Sequence, residues 1–386
     1  MDKTSHRRRT SALLYVLSSA LSGNAPVSRL PSESIYSLAV KHSLGALCCH
    51  GLELAGAAPD SAVSEKLYAI RREMLFDNAR AEILARFERE GIKYINLKGI
   101  VIKSMYPGIG MREMSDNDIL VGYSDRHKVK KIMRELGYKV ESYGKGHHDT
   151  YIKEPVLNFE MHVSLFSYKR EVLSKYFSGI MDRAEPRGTC ERVMSDEDFY
   201  LFLKAHEHKH YASGGTGLRA IVDTYVFLKN KAESLDFSLI ERECAALGIA
   251  EYERESRNLS MKLLSPDFLD ALLAHARDGA DLPLTDSEWN MLDYISTSGT
   301  YGSVSNEIDN AMQEYDGEKK GFAAKMHFLF RRVFPPMAYY AENAPVVYRF
   351  KILIPFYCIG RLICAVFRNP ARVIAQLKNL IKYKKK

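Results

Sequence analysis

The stretch Ile92–Val121, IKYINLKGIVIKSMYPGIGMREMSDNDILV, decides how this chain is read. It opens with a short apolar strand, Ile92–Leu97, that runs into Lys98-Gly99. A short helical segment, Ile100–Tyr106, follows and is closed by Pro107-Gly108. Asp116-Asn117-Asp118 then leads directly into the apolar strand Asn117–Gly122. Side chains two positions apart on a strand share a face, so Asp116 and Asp118 point the same way and can grip one cation or a cation pair. Gly99 gives a backbone that a phosphate can approach, with N–H groups turned toward it. Together these are the parts that hold a metal–nucleoside triphosphate.

The pattern continues outward from that stretch. Ser124–Leu136 reads as a basic helix with Gly137 at its C-terminus, and Tyr138–Ser142 and Thr150–Lys153 read as strands around a Gly144-Lys145-Gly146 turn. In Asn158–Leu165, Phe159, Met161, Val163 and Leu165 alternate with Glu160, His162 and Ser164, the period of a half-buried strand. The order β-α-β-α-β-β-β makes a small α/β sheet core. Glu160 faces away from its apolar neighbours and supplies a third carboxylate, completing an oxygen-rich site for hard cations. His162 shares that side, where it either touches substrate or is hydrogen-bonded inside the cleft.

The flanks are helical. Ser64–Glu90 carries apolar residues at helical spacing and stops at Gly91. Ser195-Asp196-Glu197-Asp198 resembles a capping box, and its helix runs to about His210. A Gly214-Gly215-Thr216-Gly217 loop separates it from the helix Leu218–Lys231. The expected organisation is a helical region over 1–90, the α/β core over 91–190, a helical domain over 191–335 and a basic, apolar tail over 336–386.

Composition sets outer bounds. With 386 residues, 46% hydrophobic and 27% charged, the chain is an ordinary globular protein, neither fibrous nor disordered. Its six cysteines show no CxxC spacing, which argues against a disulfide framework or a zinc ribbon and for a reducing compartment. Arg7-Arg8-Arg9 before an apolar run faintly resembles a signal peptide. Ser18-Ser19 breaks that run, however, and Leu13, Leu17 and Leu21 repeat as in a plain helix.

From Asn343 to Lys386 there are ten bases and no acid, so the net charge of +7 leaves about −3 for the rest. The apolar run Ile352–Phe367 inside this tail is too short and too broken for a membrane span. Two readings stay open: a core helix with a solvated basic end, or a segment lying on an anionic membrane surface. The second would make the protein cytoplasmic and peripheral to the inner face of the membrane. Nucleic acid is a weaker match, because no aromatic-basic interleaving accompanies the charge.

Three further groups invite chemistry. His206 and His210 lie one helical turn apart, as a zinc pair or as residues lining the cleft. His147-His148 follows the glycine turn and reads as exposed loop. Asp223, among Ile221, Val222, Tyr225 and Val226, has Arg219 one turn away as its expected partner.

The residues Leu97-Lys98-Gly99, Tyr106-Pro107, Arg112, Asp116–Val121 and Phe159-Glu160-Met161-His162 resemble the uncharacterised nucleotidyltransferase-like family of bacteria, within the polymerase-beta-type nucleotidyltransferase superfamily. The specific match covers about residues 75–230. The resemblance implies an α+β fold, with a small mixed-sheet nucleotidyltransferase core embedded in a mainly helical shell. It implies metal ligation by Asp116, Asp118 and Glu160, which would also be the catalytic set. Many members accompany surface-polysaccharide or natural-product genes.

Read with the geometry above, the expected reaction moves a nucleoside monophosphate from a nucleoside triphosphate to an acceptor hydroxyl on a sugar, metabolite, protein or RNA. Two Mg²⁺ ions would serve it. Lys98, Gly99 and Arg112 would bind the nucleotide phosphates, and Glu160 could take the proton. His162, His206 and His210 are the expected substrate contacts. The chain departs from the superfamily at Lys98-Gly99, where Gly-Ser or Gly-Gly is usual, and at Glu160, where Asp is more common. The rival readings are a catalytically inactive binding or regulatory module on the same fold, a membrane-surface accessory protein, and a tRNA-modifying toxin.

Overall fold

A computed structural model describes the chain except for residues 1, 28, 168, 169, 301, 319–321 and 384–386. Four helices come first: α1 (Lys3–Ser22), α2 (Ser32–Lys41), α3 (Gly45–Leu54) and the long α4 (Asp60–Glu90). The sheet region follows with β1 (Tyr94–Asn96), α5 (Gly99–Ile102), β2 (Asn117–Val121), α6 (Arg126–Glu135), β3 (Lys139–Ser142), β4 (His148–Lys153) and β5 (Leu157–His162). Two short helices, α7 (Glu171–Tyr176) and α8 (Ile180–Arg183), precede a hairpin of β6 (Glu185–Arg187) and β7 (Glu191–Val193). Helices α9 (Asp196–Tyr211), α10 (Leu218–Lys231), α11 (Phe237–Ala246), α12 (Ala250–Leu263), α13 (Leu269–Asp278) and α14 (Asp286–Ser298) complete the shell. A C-terminal group adds α15 (Val304–Glu318), α16 (Phe322–Val333), α17 (Met337–Asn343), α18 (Pro345–Arg349), α19 (Ile354–Arg368) and α20 (Pro370–Lys382).

The seven strands form one mixed sheet in the order β3-β4-β5-β2-β1-β7-β6. The expected β-α-β-α-β-β-β core is present, with β2 and β5 parallel and adjacent. The β6–β7 hairpin lengthens the sheet at the β1 edge and was not foreseen from sequence.

Alternation assigns the two faces. Ile119, Val121, Phe159, Met161 and Tyr151 point to the back, where they pack against Phe76, Ile83 and Phe87 of α4 and Val129, Ile132 and Met133 of α6. The α4 helix ends where Gly91 takes a left-handed conformation, φ 67°, and its N–H caps the Glu88 carbonyl. The other face carries Asp118, Glu160 and His162, and a separate apolar core built mostly of α1, α3, α9, α10 and α12 lies beyond it. Because buried apolar side chains fill the back, Asp118, Glu160 and His162 are presented to one cleft.

Candidate active site

The floor of the cleft is set by strand register. Asp118 on β2 pairs directly with Glu160 on β5, and His148 on β4 pairs with His162. Ligand atoms of Asp118, Glu160 and His162 all lie within 4.8 Å of one another. Asp116, two residues before Asp118, lines the same cavity of about 340 Å³.

Lys98 stands over this floor. Its φ of 41° is a left-handed value that a side chain rarely adopts, and it precedes the first turn of α5. From there its Nζ reaches Asp118 Oδ2 at 3.1 Å. His162 Nε2 donates to Asp118 Oδ1 at 2.7 Å and lies 3.6 Å from Glu160. Burial works to raise the Asp118 carboxyl, but Lys98 and His162 outweigh it and hold it well below the usual range. Asp116 behaves oppositely. Burial, then repulsion from Asp118, pushes it up to about 6. Two carboxylates two residues apart thus have separated acidities, a common mark of a functional site.

The opposite wall is basic and rich in imidazole. His206 and His210 of α9 both line the cavity, with Nε2 atoms 3.3 Å apart, so the pair lines the cleft. Burial, reinforced by Lys98 and Lys209, drives His206 well below its ordinary value. Burial also takes His210 down to about 3 and Lys209 to about 8. Arg219 joins this wall from α10.

His147 and His148 correct the sequence expectation of an exposed loop. Both line the cavity and pack against the His162 ring, with centroids 5.6 and 5.1 Å away. His148 faces inward because it opens β4 opposite His162, and the glycine turn before it is fixed by Asp149. That carboxylate takes two donors from Arg126 at 2.6 Å each and the Gly144 N–H at 2.8 Å. Burial takes His147 down to about 3 and lowers His148. His148 Nε2 is 3.6 Å from Glu160.

A model of the uncharacterised nucleotidyltransferase family matches residues 30–265. This chain belongs to that family. No curated protein and no solved structure matched it. The match starts within the N-terminal helices and ends after α12, well beyond the stretch of about 75–230 that carries the sequence motifs.

Two of the nucleotidyltransferase motif residues have structural partners. Arg112 donates from Nε and Nη2 to Asp223 at 3.0 and 2.8 Å, and Tyr106 gives its hydroxyl to the same carboxylate at 2.7 Å. Asp223 therefore pairs with Arg112, a partner not expected from sequence, and Arg219 donates to the Glu113 carbonyl. Arg112 also lines the cavity, turning Nη1 beneath Gly99. A Cβ on Gly99 would meet that nitrogen at 2.4 Å and Met114 Sδ at 3.0 Å. Glycine is needed here because the guanidinium passes so close. Asn117, between the two aspartates, is held from the back face by Arg80 Nη1 at 2.9 Å.

Sequence reasoning passes over Lys209 and takes Arg219 only as a partner for Asp223, not as part of the cleft. Nothing marks Lys209 beyond its place in the HEHKH run, where His206, three residues before it, and His210, one residue after it, also face the cleft.

Proposed function

We propose that this nucleotidyltransferase moves a nucleotidyl group from a nucleoside triphosphate to an acceptor hydroxyl in the cleft between the sheet and α9. The observation that carries the reading is the pairing of Asp118 with Glu160 across parallel β2 and β5, at the floor of a cavity whose other wall is basic.

The donor set fits a divalent cation of the Mg²⁺ type. Asp116, Asp118 and Glu160 offer carboxylate oxygens, the ligands hard cations prefer. Lys98 places positive charge against Asp118 and His162 donates to it, the neutralisation that a bound cation would also provide. Asp116, Asp118 and Glu160 would hold the ion or ion pair, which supplies charge neutralisation on the triphosphate and a more acidic acceptor hydroxyl.

The chain's own residues do the rest. Lys98, Lys209 and Arg219 bind phosphate oxygens, and the Nη1 edge of Arg112 adds to the same field. His206 and His210, kept neutral by burial, offer N–H or lone pair to substrate as needed. The acceptor oxygen forms its bond to the α-phosphorus while the bond to the bridging oxygen breaks and pyrophosphate leaves. The hydroxyl proton passes to Glu160 or to His148 beside it. Positioning and charge neutralisation suffice for such a transfer.

A second reading has one observation in its favour. The Lys98 and His162 contacts satisfy Asp118 without any metal, as in a nucleotide-binding module that has lost catalysis. Release of pyrophosphate decides between them. Protein incubated with each nucleoside triphosphate, Mg²⁺ and acceptor mixtures of sugars, metabolites, protein or RNA releases pyrophosphate if the transfer reading holds, and Asp118→Asn does not. Nucleotide binding without pyrophosphate release from any mixture supports the module.

A further inference from the structure

The C-terminal helices have their apolar side turned the wrong way for a protein surrounded by water. In α19, Phe356, Ile359, Ile363 and Phe367 recur at three- and four-residue spacing and form one stripe. That stripe faces outward, with Phe356 71% and Phe367 82% exposed. The inward side of α19 is taken by Cys358, which meets the Tyr340 hydroxyl. Helix α20 repeats the arrangement: Leu380 is buried against α15 and α16, while Ile374, Leu377 and Ile381 are exposed. Contiguous exposed apolar surface of this kind marks an interaction site.

Charge selects the partner. Arg361 and Arg368 flank the stripe on α19, and Lys378 flanks it on α20. No acid occurs from Asn343 onward. A second copy of the chain would set two wholly basic faces together with nothing to neutralise them. A surface of acidic lipid headgroups over hydrocarbon matches both the charge and the apolar stripe.

Shape points the same way. Among the described residues no single helix is long and apolar enough to cross a membrane, and α19 and α20 meet at a bend of 103°. With 15 and 13 residues, each spans only about 20 Å, short of a hydrocarbon core of about 30 Å. Between α16, α19 and α20 lies a cavity of about 450 Å³, lined by Leu329, Val333, Leu362, Val373 and Leu377. Arg361 is on its wall, with a buried Nη1 that has no hydrogen-bond partner. An apolar slot beside an unsatisfied guanidinium nitrogen suits an acyl chain and the phosphate above it.

We propose that α19 and α20 form an interfacial anchor that lies flat on an anionic lipid membrane. The Lys384-Lys385-Lys386 end of the basic tail lies outside the described residues.

The test is co-sedimentation of the full chain with vesicles of phosphatidylcholine alone and of phosphatidylcholine mixed with phosphatidylglycerol. The chain should pellet with the mixed vesicles and not with the neutral ones, and added salt should weaken binding. Phe356→Ser with Phe367→Ser should cut the bound fraction at least about tenfold. The melting temperature should not change, since both rings are exposed. Should that variant fold poorly, Lys378→Gln with Lys382→Gln serves instead and should weaken binding to the mixed vesicles. The proposal is overturned if the chain ignores mixed vesicles, binds both kinds equally, or binds as well with the charge and apolar variants as without. It also fails if the exposed face instead supports a dimer that Phe356→Ser and Phe367→Ser dissolve, or binds RNA while leaving vesicles untouched.

Discussion

Replacing Arg112 with Met should unfold the protein more readily than any exposed arginine change. The pair is buried, with Arg112 and Asp223 only 9% and 6% exposed. Two guanidinium donors and the Tyr106 hydroxyl converge on one carboxylate. Removing the cation leaves a buried, uncompensated carboxylate, which costs about 3–5 kcal/mol. An exposed ion pair is worth about 0–1 kcal/mol. Folded domains are stable by only about 5–15 kcal/mol, so the expected loss is a large part of the total. The assay is urea unfolding followed by circular dichroism, for Arg112→Met, Asp223→Leu and the double variant. The double variant leaves neither charge stranded and should recover most of the loss. It should fall short by about 1 kcal/mol, because the Tyr106 hydroxyl still lacks its acceptor. A coupling of about 2 kcal/mol or more between the two sites follows. A cost below about 1 kcal/mol for Arg112→Met, or a double variant as unstable as the two losses added, would refute the cross-link.

Three other outcomes are expected. Asp116→Asn should raise the melting temperature of metal-free protein above pH 6, because the native site disfavours the ionised carboxyl. The gain should vanish below pH 3.8, where the group is protonated in both states, and equal gains at both pH values would contradict the raised acidity constant. Nucleoside triphosphate affinity should fall as pH rises through about 8, where Lys209 loses its proton, and Lys209→Met should flatten that profile in titration calorimetry. Gly51→Val should destabilise by about 1–3 kcal/mol or more in thermal unfolding, since a Cβ there meets the Val16 carbonyl oxygen at 2.7 Å and Val16 Cγ1 at 2.8 Å; no loss would mean that α1 and α3 have room to part.

Much of the fold could be read from period alone. The two-residue alternation in Asn158–Leu165 placed Glu160 and His162 on one face, and the register with β2 bears that out. Gly91 stopped α4, and Leu218–Lys231 has the predicted bounds of α10. The β6–β7 hairpin escaped because EPR and ERV are three-residue, charged strands that show no alternation. Their pairing is set by the β1 edge, a tertiary fact.

The site was legible where a strand alternates over enough residues to show its faces and illegible where position rests on tertiary pairing. Asp118 and Glu160 follow from strand period, whereas His148 faces the cleft because β4 starts two residues before the predicted strand Thr150–Lys153 and brings it opposite His162. The helical rule offers Asp223 its neighbour Arg219 and cannot show the more distant Arg112, which gives it two hydrogen bonds. Gly99 was read as a place for phosphate, and its closest neighbour is the Arg112 guanidinium.

If the cleft works as proposed, the Asp118 floor binds a triphosphate through a divalent cation. The most direct measurement is the melting temperature of wild type and Asp118→Asn with each of the four nucleoside triphosphates, with and without Mg²⁺. At least one triphosphate should stabilise the wild type only when Mg²⁺ is present, and Asp118→Asn should lose this gain. Stabilisation that ignores Mg²⁺ or survives in Asp118→Asn, or no stabilisation by any triphosphate, would contradict the proposed function.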